Sequence, residues 1–161
     1  MTNVIPTQPH PIAPASSHRT RRSRWRTWNL VAVSGLTAHS ATLGWLAQEV
    51  IYPLYRAVGA NEFPAYHQQY NEAIVWPVIV PAFLGFTSAA AFYWTRPADV
   101  PRWAGAVVSL SGVTCVLSTV LWAIPMHDRL DQIGQSAATI DSLLAANLVR
   151  TVALTVSLAV L

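Results

Sequence analysis

The stretch Leu143-Leu-Ala-Ala-Asn-Leu-Val-Arg-Thr-Val-Ala-Leu-Thr-Val-Ser-Leu-Ala-Val-Leu161 decides the fold class. It is almost wholly apolar and, at about 1.5 Å per helical residue, nearly as long as a bilayer core is thick. Yet it carries Asn147 and Arg150. Three more runs of the same kind precede it, over residues 30–52, 73–94 and 103–124. A soluble chain of 161 residues has no use for four such segments. The expectation is an all-α fold, a four-helix transmembrane bundle over residues 29–161. Lipid requires every backbone donor and acceptor to be satisfied internally, which helices do. The alternating ten-residue segments of a barrel are missing.

Composition agrees. Hydrophobic residues make up 53% and charged residues 11%, against roughly 25% charged in soluble domains. All ten basic residues are Arg, and five of them fall between Arg19 and Arg26. Beside an apolar run, such a cluster reads as a topology signal or an anionic-lipid contact, not as a nucleic-acid site. Residues 1–18 are rich in Pro, Ser and Thr, and residues 1–28 are expected to form a disordered basic tail. The first run is too long for a cleaved signal core, and His39, Gln48 and Glu49 interrupt it. Cys115 stands alone, so an intrachain disulfide and a thiolate-rich metal site are excluded.

The positive-inside rule places both termini in the cytoplasm of a multi-pass cell-membrane protein. The tail and the connection Thr95–Arg102 then lie inside with seven Arg. The outer connections hold Arg56 and Arg129 with Glu62, Glu72, Asp128, Asp131 and Asp141. Pro77 and Pro81 are expected to bend the second span and free carbonyls near its outer end. The stretch Phe63–Tyr70 reads as the start of an interfacial helix leading into that span. Trp28, Trp76, Trp94 and Trp103 fall near span ends, as a Trp belt does.

The polar residues inside the spans carry the functional question. Gly35, His39, Thr42, Leu46 and Glu49 share one helix face, which is expected to look into the bundle. Asn147 and Arg150 share a face of the last span. Arg150 lies about 11 Å deep and needs a partner, and Glu49 or Glu72 is the expected carboxylate. Ser111, Cys115, Ser118 and Trp122 form a face of mostly small residues in the third span, suited to close packing. Gly35 and Gly112 read as packing glycines. His67 and His127 fall at the outer end with these groups. Either one suits a general base. The pair also suits non-haem iron, zinc or copper, completed by a carboxylate, although no HxxxH motif joins them. His39 reads as a packed polar residue held by a neighbouring helix.

Two segments carry a family resemblance. Val50-Ile-Tyr-Pro-Leu-Tyr55 with Phe63-Pro-Ala-Tyr-His67 resembles the first outer loop of the anthrone-oxygenase-like family of small four-span membrane proteins. Ile124-Pro-Met-His-Asp-Arg-Leu130 with Asn147-Leu-Val-Arg-Thr151 resembles its second signature. The chain departs from that pattern at His127, where Asn is common, and at Ala146 and Leu148, where a Trp is usual beside the final motif. The resemblance implies a four-helix membrane bundle. It also implies oxidation of a polycyclic anthrone-like compound to a quinone without a tightly bound cofactor. It points to Pro125, His127, Asn147 and Arg150, with Tyr52 and His67.

The resulting expectation is a membrane-bound, monooxygenase-like biosynthetic oxidoreductase. It acts on a small lipophilic substrate with His127, His67, Arg150 and Asn147 as catalytic groups. Glu49, Glu72, Tyr52 and His39 are expected to contact substrate. Any cofactor is a non-haem metal or absent. The partners are lipid, substrate and a second copy or another membrane protein. The alternative is a non-catalytic subunit or carrier with a structural polar core. Transport is disfavoured, since four spans without a repeat would need oligomerisation.

Overall fold

The computed structural model describes residues 17–161, with side chains from residue 24 onward; residues 1–16 of the tail expected over residues 1–28 lie outside the described residues. Helix begins at Ser17, within the stretch read as tail. We number the helices α1 (Arg24–Ala57, continuing the helix that begins at Ser17), α2 (Phe63–Ala73), α3 (Val75–Ala90), α4 (Phe92–Thr95), α5 (Arg102–Ile133) and α6 (Ala137–Val160). No strand occurs among the described residues. Helices α1, α5 and α6 are long and apolar enough to cross a membrane, and α2 with α3 adds a fourth if that bent pair is one span.

The helices close a ring. Helix α1 packs on α3 and α6, and α5 packs on the same two from the opposite side. The outer surface is greasy: Leu84, Leu110, Leu117, Leu121 and Val156 are exposed, and so are Trp28, Trp76, Trp94 and Trp103. Apolar surface of this extent belongs in lipid or against a partner, not in water.

The two ends of the ring are built differently. At the proximal end, which holds the connection 96–101, backbones nearly touch. A Cβ on Gly112 would stand 2.4 Å from the Ala90 nitrogen and 2.7 Å from the Phe86 carbonyl oxygen. One on Gly85 would stand 3.1 Å from Leu36 Cβ. The face Ser111, Cys115, Ser118 is buried, as its spacing predicts. Ser118 Oγ donates to the Ala146 carbonyl at 3.0 Å, which ties α5 to α6. Trp122 instead turns outward and donates to Ser142 at 2.8 Å. Gly35 has no neighbour at its Cβ position, so it is not a packing glycine here.

At the distal end, prolines replace glycines as the shaping residues. Pro53, Pro81 and Pro125 each follow a five-residue π turn, over Ala47–Ile51, Val75–Ile79 and Thr119–Ala123. Proline has no N–H and its ring crowds the carbonyl four residues back. The preceding turn therefore takes in one extra residue. Tyr52 N–H donates to the Ala47 carbonyl, Val80 to Val75 and Ile124 to Thr119, each five residues back. Helices α2 and α3 meet at 47°, the bend that Pro77 and Pro81 predict.

The extra residue in α1 also advances its phase by about 100°. Val33, Thr37, Ser40, Ala41 and Ala47 are buried before and at the turn, and Tyr52 and Tyr55 after it. Gly35, His39, Thr42, Leu46 and Glu49 are all exposed. The face expected to look into the bundle therefore looks out. Close packing selected the smaller face instead: a Cβ on Gly44 would stand 2.5 Å from Thr151 Oγ1.

The distal connections are fastened by polar groups. Gln135 Nε2 donates to the carbonyls of Tyr55 and Val58, both at 2.8 Å. Ser136 caps α6 by accepting from the Thr139 amide. Gly134 turns the chain between α5 and α6 with φ 76°, a value that favours glycine. Arg56 pairs with Asp141 across the same surface.

Candidate active site

A cavity of about 320 Å³ opens inside the distal half of the ring. Each π turn supplies part of its wall: Ala47 and Ile51, Val78 and Ile79, Thr119 and Ala123. Widening three helices at one level leaves space that regular helices would close. The lining is mostly apolar, and its polar part includes Tyr52, Tyr70, Asn71, Thr119, His127, Asn147 and Arg150, with the small hydroxyls of Ser40 and Thr151. Asp128, which is exposed, stands at the same cavity.

Arg150 is held by neutral groups. Its Nη1 donates to Thr119 Oγ1 and its Nη2 to Asn147 Oδ1, both at 3.3 Å. Asn147 Nδ2 in turn donates to the Gly44 carbonyl and to Gln48 Oε1, both at 2.9 Å. This orients the amide so that its oxygen meets the guanidinium. Tyr52 also interacts with Arg150 and with Tyr70. The ion pairs found among the described residues are Arg56–Asp141 and His67–Asp131. The carboxylate expected beside Arg150 is absent from them. Glu49 is exposed on the outer face of α1, and Glu72 is exposed and accepts from Gln68 at 3.4 Å. Both expectations for an Arg150 partner are therefore corrected, and neither Glu lines the cavity. A guanidinium in an apolar bundle, left without an opposite charge, attracts whatever anion reaches the cavity.

His127 is in the cavity wall and His67 lies directly behind it. His67 is fully buried, stacked against Phe63 with centroids 5.5 Å apart. Its Nε2 faces His127 Nδ1 at 3.0 Å, and its Nδ1 faces Asp131 Oδ1 at 2.6 Å. Asn71 Nδ2 donates to Asp131 Oδ2 at 3.3 Å. Tyr52 meets the His127 ring edge-on at 6.0 Å, and Tyr70 lies nearly parallel to it at 6.4 Å. Both His67 nitrogens are thus engaged by protein groups. No group of three or more His, Cys, Asp or Glu side chains placed to hold a metal occurs among the described residues.

The cavity brings together His127, Arg150, Asn147 and Tyr52 from the residues singled out in the sequence, with His67 one contact away. It leaves out His39. That side chain is exposed, and its Nε2 faces the Pro77 carbonyl at 3.0 Å. This is the carbonyl four residues before Pro81, which the ring of Pro81 leaves without its helical donor. His39 is thus held by a neighbouring helix but is not packed inside. Thr119, Tyr70, Gln48 and Asp131 belong to the site and were not singled out. One signal was present for Asp131. His127 and Asp131 are four residues apart on α5, as His67 and Asn71 are on α2, and that spacing puts each pair on one face.

No family model matches the chain, and comparison with curated proteins and with solved structures gives no match either.

Proposed function

We propose that the chain is a four-span membrane oxygenase acting on a small lipophilic substrate with an acidic C–H or O–H, in the manner the resemblance to anthrone oxygenases implies. The observation that carries this reading is the pairing of His127 with Arg150 in one apolar cavity, with Arg150 free of a carboxylate partner. The volume falls at the small end of ligand pockets, roughly 300–1,000 Å³, which suits a compact aromatic molecule. His127 takes the substrate proton, and the electron pair stays on the substrate as an enolate or phenolate. Arg150, steadied by Asn147 and Thr119, stabilises that anion where water is scarce. The carbanion adds dioxygen, the peroxide anion regains a proton, and loss of water leaves the new carbonyl. Atoms balance: a CH₂ and O₂ become C=O and H₂O. In this reading both termini face the cytoplasm, and the cavity opens in the outer half of the cell membrane.

The test is oxygen uptake by the purified full chain with anthrone and related phenols. His127→Ala should lower turnover about 10²–10⁴-fold, and Arg150→Ala about 10²–10³-fold. Full turnover in either folded variant rejects the reading.

A second reading, a non-catalytic membrane subunit, is favoured by one observation. The exposed polar stripe of α1, His39 through Glu49, faces the side where lipid or a partner helix would lie. Chemical cross-linking from position 42 in native membranes should then capture a second polypeptide while no substrate is turned over.

A further inference from the structure

The chain Asp131–His67–His127 has a fixed hydrogen-bonding direction, and that direction determines what the cavity meets. An ionised carboxylate only accepts, so His67 Nδ1 carries a hydrogen toward Asp131 Oδ1 at 2.6 Å, and Asn71 Nδ2, 3.3 Å from both that nitrogen and Asp131 Oδ2, donates to the carboxylate. In the neutral pair His67 Nε2 is then a bare lone pair. His127 Nδ1, 3.0 Å away, must be the donor. That leaves the lone pair of His127 on Nε2, for which no protein partner occurs among the described hydrogen bonds, in a side chain that lines the cavity. His67 is fully buried, whereas the Asp131 side chain is 44% exposed at the distal surface. The groups that face His127 are Arg150 from α6, Tyr52 from α1, Tyr70 and His67 from α2, and Asp131 and Asp128 on its own helix.

We propose that Asp131 and His67 are positioning residues that lock His127 as the Nδ1–H tautomer, with its Nε2 lone pair offered to the cavity, and that they share the proton His127 accepts. The proposal rests on the reading of the cavity as a proton-abstracting site. In the step itself a substrate C–H or O–H bond breaks, an N–H bond forms at His127 Nε2, and the electron pair remains on the substrate. The imidazolium charge spreads toward His67 through the Nδ1–H···Nε2 bond, and Asp131 balances it. When the substrate peroxide anion forms, the proton returns from Nε2, so the relay ends the cycle as it began. A carboxylate behind a histidine performs the same tautomer selection in hydrolytic triads.

The deciding measurement is nitrogen NMR of the full chain labelled at histidine, under conditions where both rings are neutral. In the native protein His127 should show a protonated Nδ1 and an unprotonated Nε2. Asp131→Asn should reverse both rings. Asn71 holds the carbonyl side of the new amide, so its NH₂ donates to His67 Nδ1. That moves the His67 hydrogen to Nε2, which then donates to His127 Nδ1 and puts the His127 hydrogen on Nε2. Turnover should fall about 10²–10⁴-fold through kcat, with KM nearly unchanged. His67→Phe keeps the stack on Phe63 and should leave His127 a mixture of tautomers. A native His127 protonated on Nε2, or the native tautomer persisting in both variants, overturns the relay. If the native chain turns over no substrate, the oxygenase reading fails while the spectra still decide the relay.

Discussion

The proximal and distal halves of this ring use the same apolar alphabet to opposite ends. In the proximal half, Gly112 lets two backbones approach until no side chain fits between them, and Gly85 lets its helix close tightly on Leu36. In the distal half, Pro53, Pro81 and Pro125 widen three helices at one level and leave a cavity. Small residues remove volume from between helices, whereas prolines add a residue to a turn and push helices apart. The difference teaches that a polar site inside an apolar bundle needs both devices. A cavity lined by a guanidinium and an imidazole is costly to hold open in hydrocarbon. The close-packed half and the Asn147–Gly44 bond anchor the helices that frame it.

The sharpest way to break this division is at Gly112. Its missing Cβ is opposed by backbone atoms of Ala89 and Ala90, which cannot rotate away as a side chain would. Gly112→Val should therefore destabilise the fold by about 1–3 kcal/mol or more, seen as a lower thermal unfolding midpoint in detergent. An unchanged midpoint would mean that α3 and α5 slide freely, and that the proximal half anchors nothing.

Pro125→Ala tests the other half and should separate activity from stability. The new N–H supplies a helical donor, and the π turn Thr119–Ala123 loses the ring that favours it. Relaxation toward a regular helix rotates His127 relative to the lower part of α5. A misplacement of about 1 Å costs on the order of 10²-fold in rate, while the unfolding midpoint should hold or rise. Loss of the His67–His127 hydrogen bond would show in the same histidine spectra. Full turnover together with native spectra would show that the π turn is kept by its neighbours and not by the proline.

The contrast also explains what could be read in the sequence. The spacing Ser111, Cys115, Ser118 gave the buried face of α5 because that stretch is regular helix, where a 3.6-residue period holds. Asn147 and Arg150 were legible for the same reason on α6. The face of α1 was misjudged on two counts. Polarity does not mark the inner face, because close packing against Thr151 selects Gly44 and its small neighbours. The period was also carried across Ala47–Ile51, where an added residue breaks it. Glu49 falls within that turn, and its expected contact with Arg150 failed with the phase. The prolines themselves were visible, and those at 77 and 81 announced the bend. That Pro53, Pro81 and Pro125 would bring three π turns to one level depends on the register between helices, which no local pattern contains. Asp131 reads in the sequence as a loop charge, although its spacing from His127 places both on one face of α5.

His39 provides the smallest effect and the finest discrimination between the halves. It lies on the exposed side of α1, outside the cavity lining, and its Nε2 meets the Pro77 carbonyl that the ring of Pro81 leaves without a donor. An unsatisfied carbonyl in hydrocarbon is expensive, so the imidazole completes the bend between α2 and α3 by supplying the missing donor. A role confined to that bond predicts a loss of about 0.5–1.5 kcal/mol in His39→Phe, with turnover and the His127 spectrum unchanged. His39→Gln, whose amide can still donate, should recover most of the loss. A large fall in turnover with little change in stability would place His39 in the chemistry and make the cavity extend further toward the proximal half. Loss of stability without loss of rate would confirm that the polar residues of this fold divide by location. Those on the outer faces satisfy backbone, and those behind the prolines line the cavity.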